Sequence, residues 1–231
     1  MENVKIVKYK AFNEIASSVV HEMKNPLSAI TLGLEYIQLG SAEAKAKADV
    51  FSNISTAVGR LNEMLENLRL IFSDESESGK RTPLKISEIL GKTKGLMNYY
   101  LTKNHIHFEI NADGDEPWII GNEGQLMTIF FLAAAWLIRR AESGSSMVFQ
   151  LAPENGSIKV MAVSQGGSGS LSAKPRPAGD KQTTEALKEL ASANGWQATF
   201  AEPDDGKAEL TISFPAGKLM HQKEGLKWAG F

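Results

Sequence analysis

The chain of 231 residues has no cysteine. That excludes disulfide frameworks, cysteine-ligated zinc, iron–sulfur clusters and thiol catalysis together. It has no excess of one charge: 25 Lys and Arg stand against 27 Asp and Glu, a formal net charge of −2. A binder held to nucleic acid or a membrane surface mainly by charge is therefore not expected. Long hydrophobic runs are missing too. The longest, Ile129 to Ile138, has ten residues, too short to span a bilayer and suited to a buried helix. The opening MENVKIVKYK alternates lysine with apolar residues, so no signal peptide is expected, and a cytoplasmic location is the default. Proline is nearly absent from residues 1–73, where Pro26 is the one exception.

What is there begins with two long helices in residues 1–73. Gly40 suits a helix C′ position and Ser41 the next N-cap, with Glu43 in the first turn. In the second helix Phe51, Ile54, Val58, Leu61, Leu65, Leu68 and Phe72 follow a 3-4-3-4-3-4 spacing, an a/d seam. The first helix has a looser seam of Phe12, Ala16, Val19, Met23, Pro26, Ile30, Gly33 and Ile37, widened by Val20, Leu27 and Leu34 at e positions. A hairpin cannot bury so wide a stripe alone. Pairing two copies into a dimeric four-helix bundle would do so. Packing on the rest of the chain is the alternative, and the dimer is the preferred expectation.

Residues 74–84 are charged, polar and turn-rich and read as a linker. Residues 85–215 then read as mixed α/β, with helices near 86–101, 123–140 and 181–194. Strands are expected near 105–110, 117–120, 146–151, 157–163, 197–202 and 208–214, in antiparallel-looking pairs. The fold class is α+β: a helical hairpin followed by a two-layer α/β sandwich. Residues 216–231 form a basic-apolar tail with no assigned role.

His21 lies at f, the heptad position farthest from the seam, so its imidazole should face water. Glu14 and Ser28 share that column, and Ser17, Ser18 and Asn25 lie one turn either side. Glu22 could orient one ring nitrogen while the other acts as nucleophile. Asn25, at i+4, could hold a water or a phosphoryl oxygen beside His21. The plain alternative is a solvated histidine, with Asn25-Pro26 serving as N-cap and N1 of a new helix. Other constellations are weaker. His105, His107 and Glu109 alternate on an expected strand, which more often means a solvated sheet face than a metal site. Gly166-Gly167-Ser168-Gly169 alone is a weak phosphate-loop candidate.

His21-Glu22-Met23-Lys24-Asn25-Pro26-Leu27 resembles the phospho-acceptor H-box of sensor histidine kinases, written His-Glu-x-x-Asn-Pro-Leu. The setting is also similar: a helical hairpin, then an α/β domain like the histidine-kinase ATP-binding domain. The resemblance implies that His21 carries a phosphoryl group, Glu22 assists as acid/base, and Asn25 is linked to dephosphorylating the partner.

The second half departs from that family. Setting Gln125 against the family's usual Gln puts Ile129 and Ala133 where two Mg²⁺-holding asparagines belong. Hydrocarbon side chains cannot coordinate a hard cation. The expected Asp-x-Gly-x-Gly is replaced by Ser164-Gln165-Gly166-Gly167-Ser168-Gly169, which has no carboxylate. The expected phosphate-cradling Gly-x-Gly-Leu-Gly is replaced by Gly179-Asp180-Lys181-Gln182-Thr183, which puts an acid beside any phosphate. The expectation is a histidine phosphotransferase on a degenerate kinase core, similar to dimeric bacterial phosphotransferases. It would be a homodimer exchanging phosphoryl groups with response-regulator receiver domains, without nucleic acid or membrane partners. It would need no cofactor or metal of its own, because the receiver supplies Mg²⁺. The alternatives are an ATP-dependent kinase with a divergent site, a non-catalytic pseudokinase, and a receiver phosphatase using Glu22 and Asn25.

Overall fold

The computed structural model describes residues 2–39, 44–72, 80–112, 118–154, 157–165, 180–201 and 208–214. Gly40, Ser41 and Glu43, the 166–169 glycines, Gly179 and the 216–231 tail lie outside the described residues. Two long helices come first, α1 (Glu2–Gln38) and α2 (Ala44–Phe72). A short strand β1 (Thr82–Lys85) leads into α3 (Ile86–Lys103). Next come β2 (His107–Ala112), β3 (Trp118–Gly121), α4 (Glu123–Ile138), β4 (Ser146–Glu154) and β5 (Ser157–Gln165). The last elements are α5 (Asp180–Ala193), β6 (Gln197–Ala201) and β7 (Ala208–Phe214). The α+β class is as expected, and the helices and strands fall close to their expected bounds.

Five strands form one sheet in the order β2-β4-β5-β7-β6. β2 and β4 run parallel, while the other three pairs are antiparallel. The parallel pair corrects the expectation of antiparallel pairs throughout. β7 shows why this is a layered fold: Ala208, Leu210, Ile212 and Phe214 are buried, and the residues between them are not. Period-two burial means that one face of the sheet is covered. Phe149 of β4 packs edge-on to Phe130 of α4, and Phe200 of β6 packs edge-on to Trp136.

Two further corrections concern the reading of loops. Thr82–Lys85, expected to be linker, pairs antiparallel with β3 from Thr82↔Gly121 to Lys85↔Trp118. The TPLK segment has no alternating pattern of its own, so only its partner makes it a strand. His105, expected on β2, sits in the turn before it with a positive φ of 54°. It therefore does not share a face with His107 and Glu109. Among the described residues no group of three His, Asp or Glu side chains is placed to hold a metal ion.

The hairpin is not an independent unit. Val4, Val7, Ala11, Ile15 and Val19 of α1, and Ile71 of α2, belong to the same buried core as the α/β elements. This stripe recurs every three to four residues, the spacing of one helix face. It adds a second face to the N-terminal half of α1, beside the one the seam describes. Tyr9, Phe12 and Phe72 cluster there, with ring centroids 5.6 Å and 5.1 Å from Phe72, and Phe72 meets Phe131 of α4 at 6.4 Å. Lys8 is buried and donates from Nζ to the Ile71 carbonyl at 2.8 Å. That carbonyl lies in the last turn of α2, where helix carbonyls lack intrahelical partners and a cation opposes the dipole.

Among the described residues of α1, none beyond Met23 belongs to or packs against that core. α1 and α2 approach closely where α1 has Gly33: a Cβ there would come within 2.8 Å of Ile54. Glycine is what permits this approach. Ile54, Leu61 and Leu68 are half-buried, whereas Phe51, Val58 and Leu65 remain 57%, 42% and 51% exposed. Val20, Leu27 and Leu34 of α1 are likewise about half exposed, at 52%, 50% and 47%.

Candidate functional site

α1 runs unbroken from Glu2 to Gln38 with Pro26 inside it, so no new helix starts at Asn25-Pro26. The missing amide hydrogen of Pro26 removes one helical hydrogen bond, and the helix continues past it. His21 and Asn25 are both exposed, on successive turns.

The f column does not simply face water. The His21 ring lies flat against Tyr99 of α3, with centroids 3.8 Å apart and planes inclined by 16°. Glu22 accepts a hydrogen bond from Asn98 Nδ2 at 3.1 Å. Two turns toward the N-terminus in the same column, Glu14 receives Arg139 Nε at 2.9 Å to each carboxylate oxygen. Ser18, expected among the exposed small polar residues, is 2% exposed. The heptad reading gives α1 one partner, α2. The α/β elements supply a second partner, on the side the seam leaves open.

Glu22 was expected to act directly on the His21 ring. Consecutive helical residues point about 100° apart and do not face each other. The structure places the Glu22 carboxylate on Asn98 instead. Asn98 and Tyr99 were not read from the sequence as site residues. They follow Leu96 and Met97, two buried residues of an amphipathic helix. No local signal connects them to a residue 76 positions away.

Beside the H-box a groove of about 610 Å³ runs between α1 and α2. Glu22, Asn25 and Gly33 line one wall, and Asn53, Arg60 and Met64 the other. It is open, lined by polar and apolar side chains alike, and includes Glu22, the residue after His21.

The region where a nucleotide would be held has the opposite character. Ile129 and Ala133 are 0% exposed, and every residue of α4 from Leu126 to Ile138 is buried. The helix start is capped by Asn122, whose side chain accepts from the Gln125 amide at 3.0 Å. The nearby asparagine therefore serves the backbone. The first turns of α5 are met by side chains from α1 and α4. Lys10 donates to Gln182 Oε1 at 2.8 Å, and Arg139 Nη1 to Thr183 Oγ1 at 3.0 Å. A small cavity of about 240 Å³ remains between them, lined by both partners of these bonds. Ile129 and Ala133 themselves carry no oxygen ligand of the kind Mg²⁺ takes.

Residues 13–77, the hairpin that carries His21, match the His Kinase A (phospho-acceptor) domain. This hairpin is similar to the phospho-acceptor part of a histidine kinase core. The chain's relatives include sporulation kinase A of Bacillus subtilis (strain 168), 20% identical over 163 residues, or 71% of this chain and 26% of that protein. Sporulation kinase C of the same organism is 24% identical over 212 residues, 91% of this chain and 48% of that protein. The chain thus spans less than half the length of these two curated relatives. The fold also matches the solved catalytic domain of histidine kinase ThkA, with a TM-score of 0.50 and 9% identity. That match covers 60% of this chain and 97% of the ThkA chain. At that identity the likeness concerns the fold. No described helix is long and apolar enough to cross a membrane.

Proposed function

We propose that the protein is a histidine phosphotransferase of two-component signalling, exchanging phosphoryl groups at His21 with response-regulator receiver domains and binding no ATP. The observation that carries this reading is the contrast between an exposed His21 and fully buried Ile129 and Ala133. A kinase would need those α4 positions to offer oxygen or amide groups to a nucleotide–metal complex. Here they offer hydrocarbon to a closed core.

In the forward step the unprotonated ring nitrogen of His21 attacks the phosphorus of a receiver's aspartyl phosphate. The new N–P bond forms as the O–P bond breaks, and the aspartate carboxylate leaves with the electron pair. The receiver supplies the Mg²⁺ that neutralises charge on the phosphoryl oxygens. Glu22 serves as acid/base near the ring, and Asn25 positions water or the partner's oxygens in the reverse and hydrolytic reactions. The groove beside Asn25 accepts the receiver.

The active form is a homodimer. Phe51, Val58 and Leu65 lie on one edge of α2, seven residues apart, and remain exposed in the single chain. Burying each against a second copy stabilises by about 1.5–3 kcal/mol. A four-helix bundle would bury this row together with Leu27 and Leu34.

The test is a panel of receiver domains phosphorylated with acetyl phosphate. Transfer of label to wild type and none to His21→Ala is expected. Equal labelling of both, or none of either, overturns the reading. An ATP-dependent kinase is the second reading, favoured by the likeness to sporulation kinases A and C. Calorimetric titration with Mg-ATP separates the two, since tight binding followed by labelling of His21 supports the kinase.

A further inference from the structure

The α/β domain touches the H-box directly, and that contact has no place in the nucleotide chemistry the domain lacks. We propose that Tyr99 and Asn98 of α3 are positioning residues of the phosphotransfer site, holding His21 and Glu22 in the geometry used for transfer. This rests on the phosphotransfer reading above.

The geometry decides what the contact can do. Tyr99 lies parallel to the imidazole at 3.8 Å, so it covers a face of the ring. The nucleophilic lone pair of an imidazole nitrogen lies in the ring plane and points outward from its edge. A stacked neighbour leaves that edge open. An exposed histidine on a helix otherwise samples several rotamers, and ordering it during transfer costs entropy. Stacking removes that freedom in advance and leaves the attack trajectory clear. Asn98 acts likewise on the second group: its amide donates to one Glu22 oxygen at 3.1 Å and fixes the position of that carboxylate. One turn of α3 thus serves both residues of the His-Glu pair. Tyr99 is half-buried and Asn98 exposed, so neither is needed to fill the core. The α/β domain on this account supplies part of the phosphotransfer site.

The experiment compares wild type with Tyr99→Ala, Tyr99→Phe and Asn98→Ala. The first readout is the NMR shift of the His21 ring protons. Stacking displaces them upfield in wild type and Tyr99→Phe, and the displacement is lost in Tyr99→Ala. The second is direct labelling by phosphoramidate, a small donor that needs no docking. There the His21 ring nitrogen displaces ammonia from phosphorus, the N–P bond to His21 replacing the one to ammonia. Tyr99→Ala should label no faster than wild type, because the stack leaves the nucleophilic edge of the ring open. The third is transfer from a phosphorylated receiver, which Tyr99→Ala slows about tenfold through lost positioning. Tyr99→Phe restores that rate, and Asn98→Ala shows a smaller slowing in the same direction.

Absence of the upfield shift in wild type overturns the proposal. So does faster phosphoramidate labelling of Tyr99→Ala, which would make Tyr99 a cap. Unchanged receiver transfer in Tyr99→Ala overturns it while the phosphotransferase reading stands. If no receiver labels wild type, the phosphotransferase reading falls, and positioning for that transfer falls with it. The shift and phosphoramidate arms then still report whether the stack exists and whether it shields the ring.

Discussion

Residues 20–28 of α1 and residues 126–138 of α4 are both helical, yet the first stretch is largely open to solvent and the second is wholly buried. Around His21 the neighbours Lys24, Asn25 and Ser28 are exposed. Around Ile129 every neighbour is apolar or small and every one is buried, apart from Thr128, whose hydroxyl turns back to the Gly124 carbonyl at 2.8 Å. The difference teaches what a site costs. Polar side chains facing a cavity must find partners or water. Hydrocarbon packing needs neither, and α4 forms the middle layer between the sheet and the hairpin.

The sharpest way to break this comparison is to return an asparagine to α4. Ile129→Asn places an amide in a closed apolar site and removes packed methyl groups. It should cost about 3–5 kcal/mol in urea unfolding and produce no Mg-ATP binding. A stable variant that binds nucleotide would show that the site is merely disarmed, not rebuilt. A second test addresses the hairpin. Leu65→Asp places a charge in the proposed bundle seam at a position already exposed in one chain, so the fold itself is spared. The dimer dissociation constant, read by light scattering, should rise about a hundredfold, roughly 3 kcal/mol.

The junction between the two regions gives smaller effects. Arg139 links α4 to Glu14 and Thr183, and its side chain is 11% exposed against 41% for Glu14. Arg139→Ala should lower stability by only about 1 kcal/mol, because Glu14 can still be hydrated. Phosphoramidate labelling of His21 should be unchanged. The smallest effect is a pH dependence. Burial first, and then the Glu14 carboxylate, hold the Tyr100 phenol above its ordinary value. The folded state thus keeps this proton longer than the unfolded state. The contribution is full below the unfolded value near 10 and is lost as pH rises through the higher folded value. Denaturant midpoints taken from neutral to alkaline pH should fall less steeply in Tyr100→Phe.

Much of this was legible in the sequence. The helices and strands were, because hydrophobic periodicity is written locally and each period belongs to one kind of backbone. The H-box was legible because His21, Glu22, Asn25 and Pro26 are consecutive or nearly so. The burial of α4 was legible too, since the run Ile129 to Ile138 is apolar throughout. Strand β1 was not, because Thr82–Lys85 becomes a strand only by pairing with Trp118–Gly121. Nor were Asn98 and Tyr99, which act on residues of another helix.

By itself, then, the sequence determined which segments are helix or strand, which helix carries the His21-Glu22-Met23-Lys24-Asn25-Pro26-Leu27 motif and which helix is apolar throughout. Those properties depend on side chains within a turn or two of one another. Only the tertiary structure decided what the far side of α1 faces. A heptad seam describes one face of a helix and is silent on the others. It took the docking of α3, α4 and α5 against α1 to turn Glu14 toward Arg139, to bury Ser18, and to lay His21 against Tyr99.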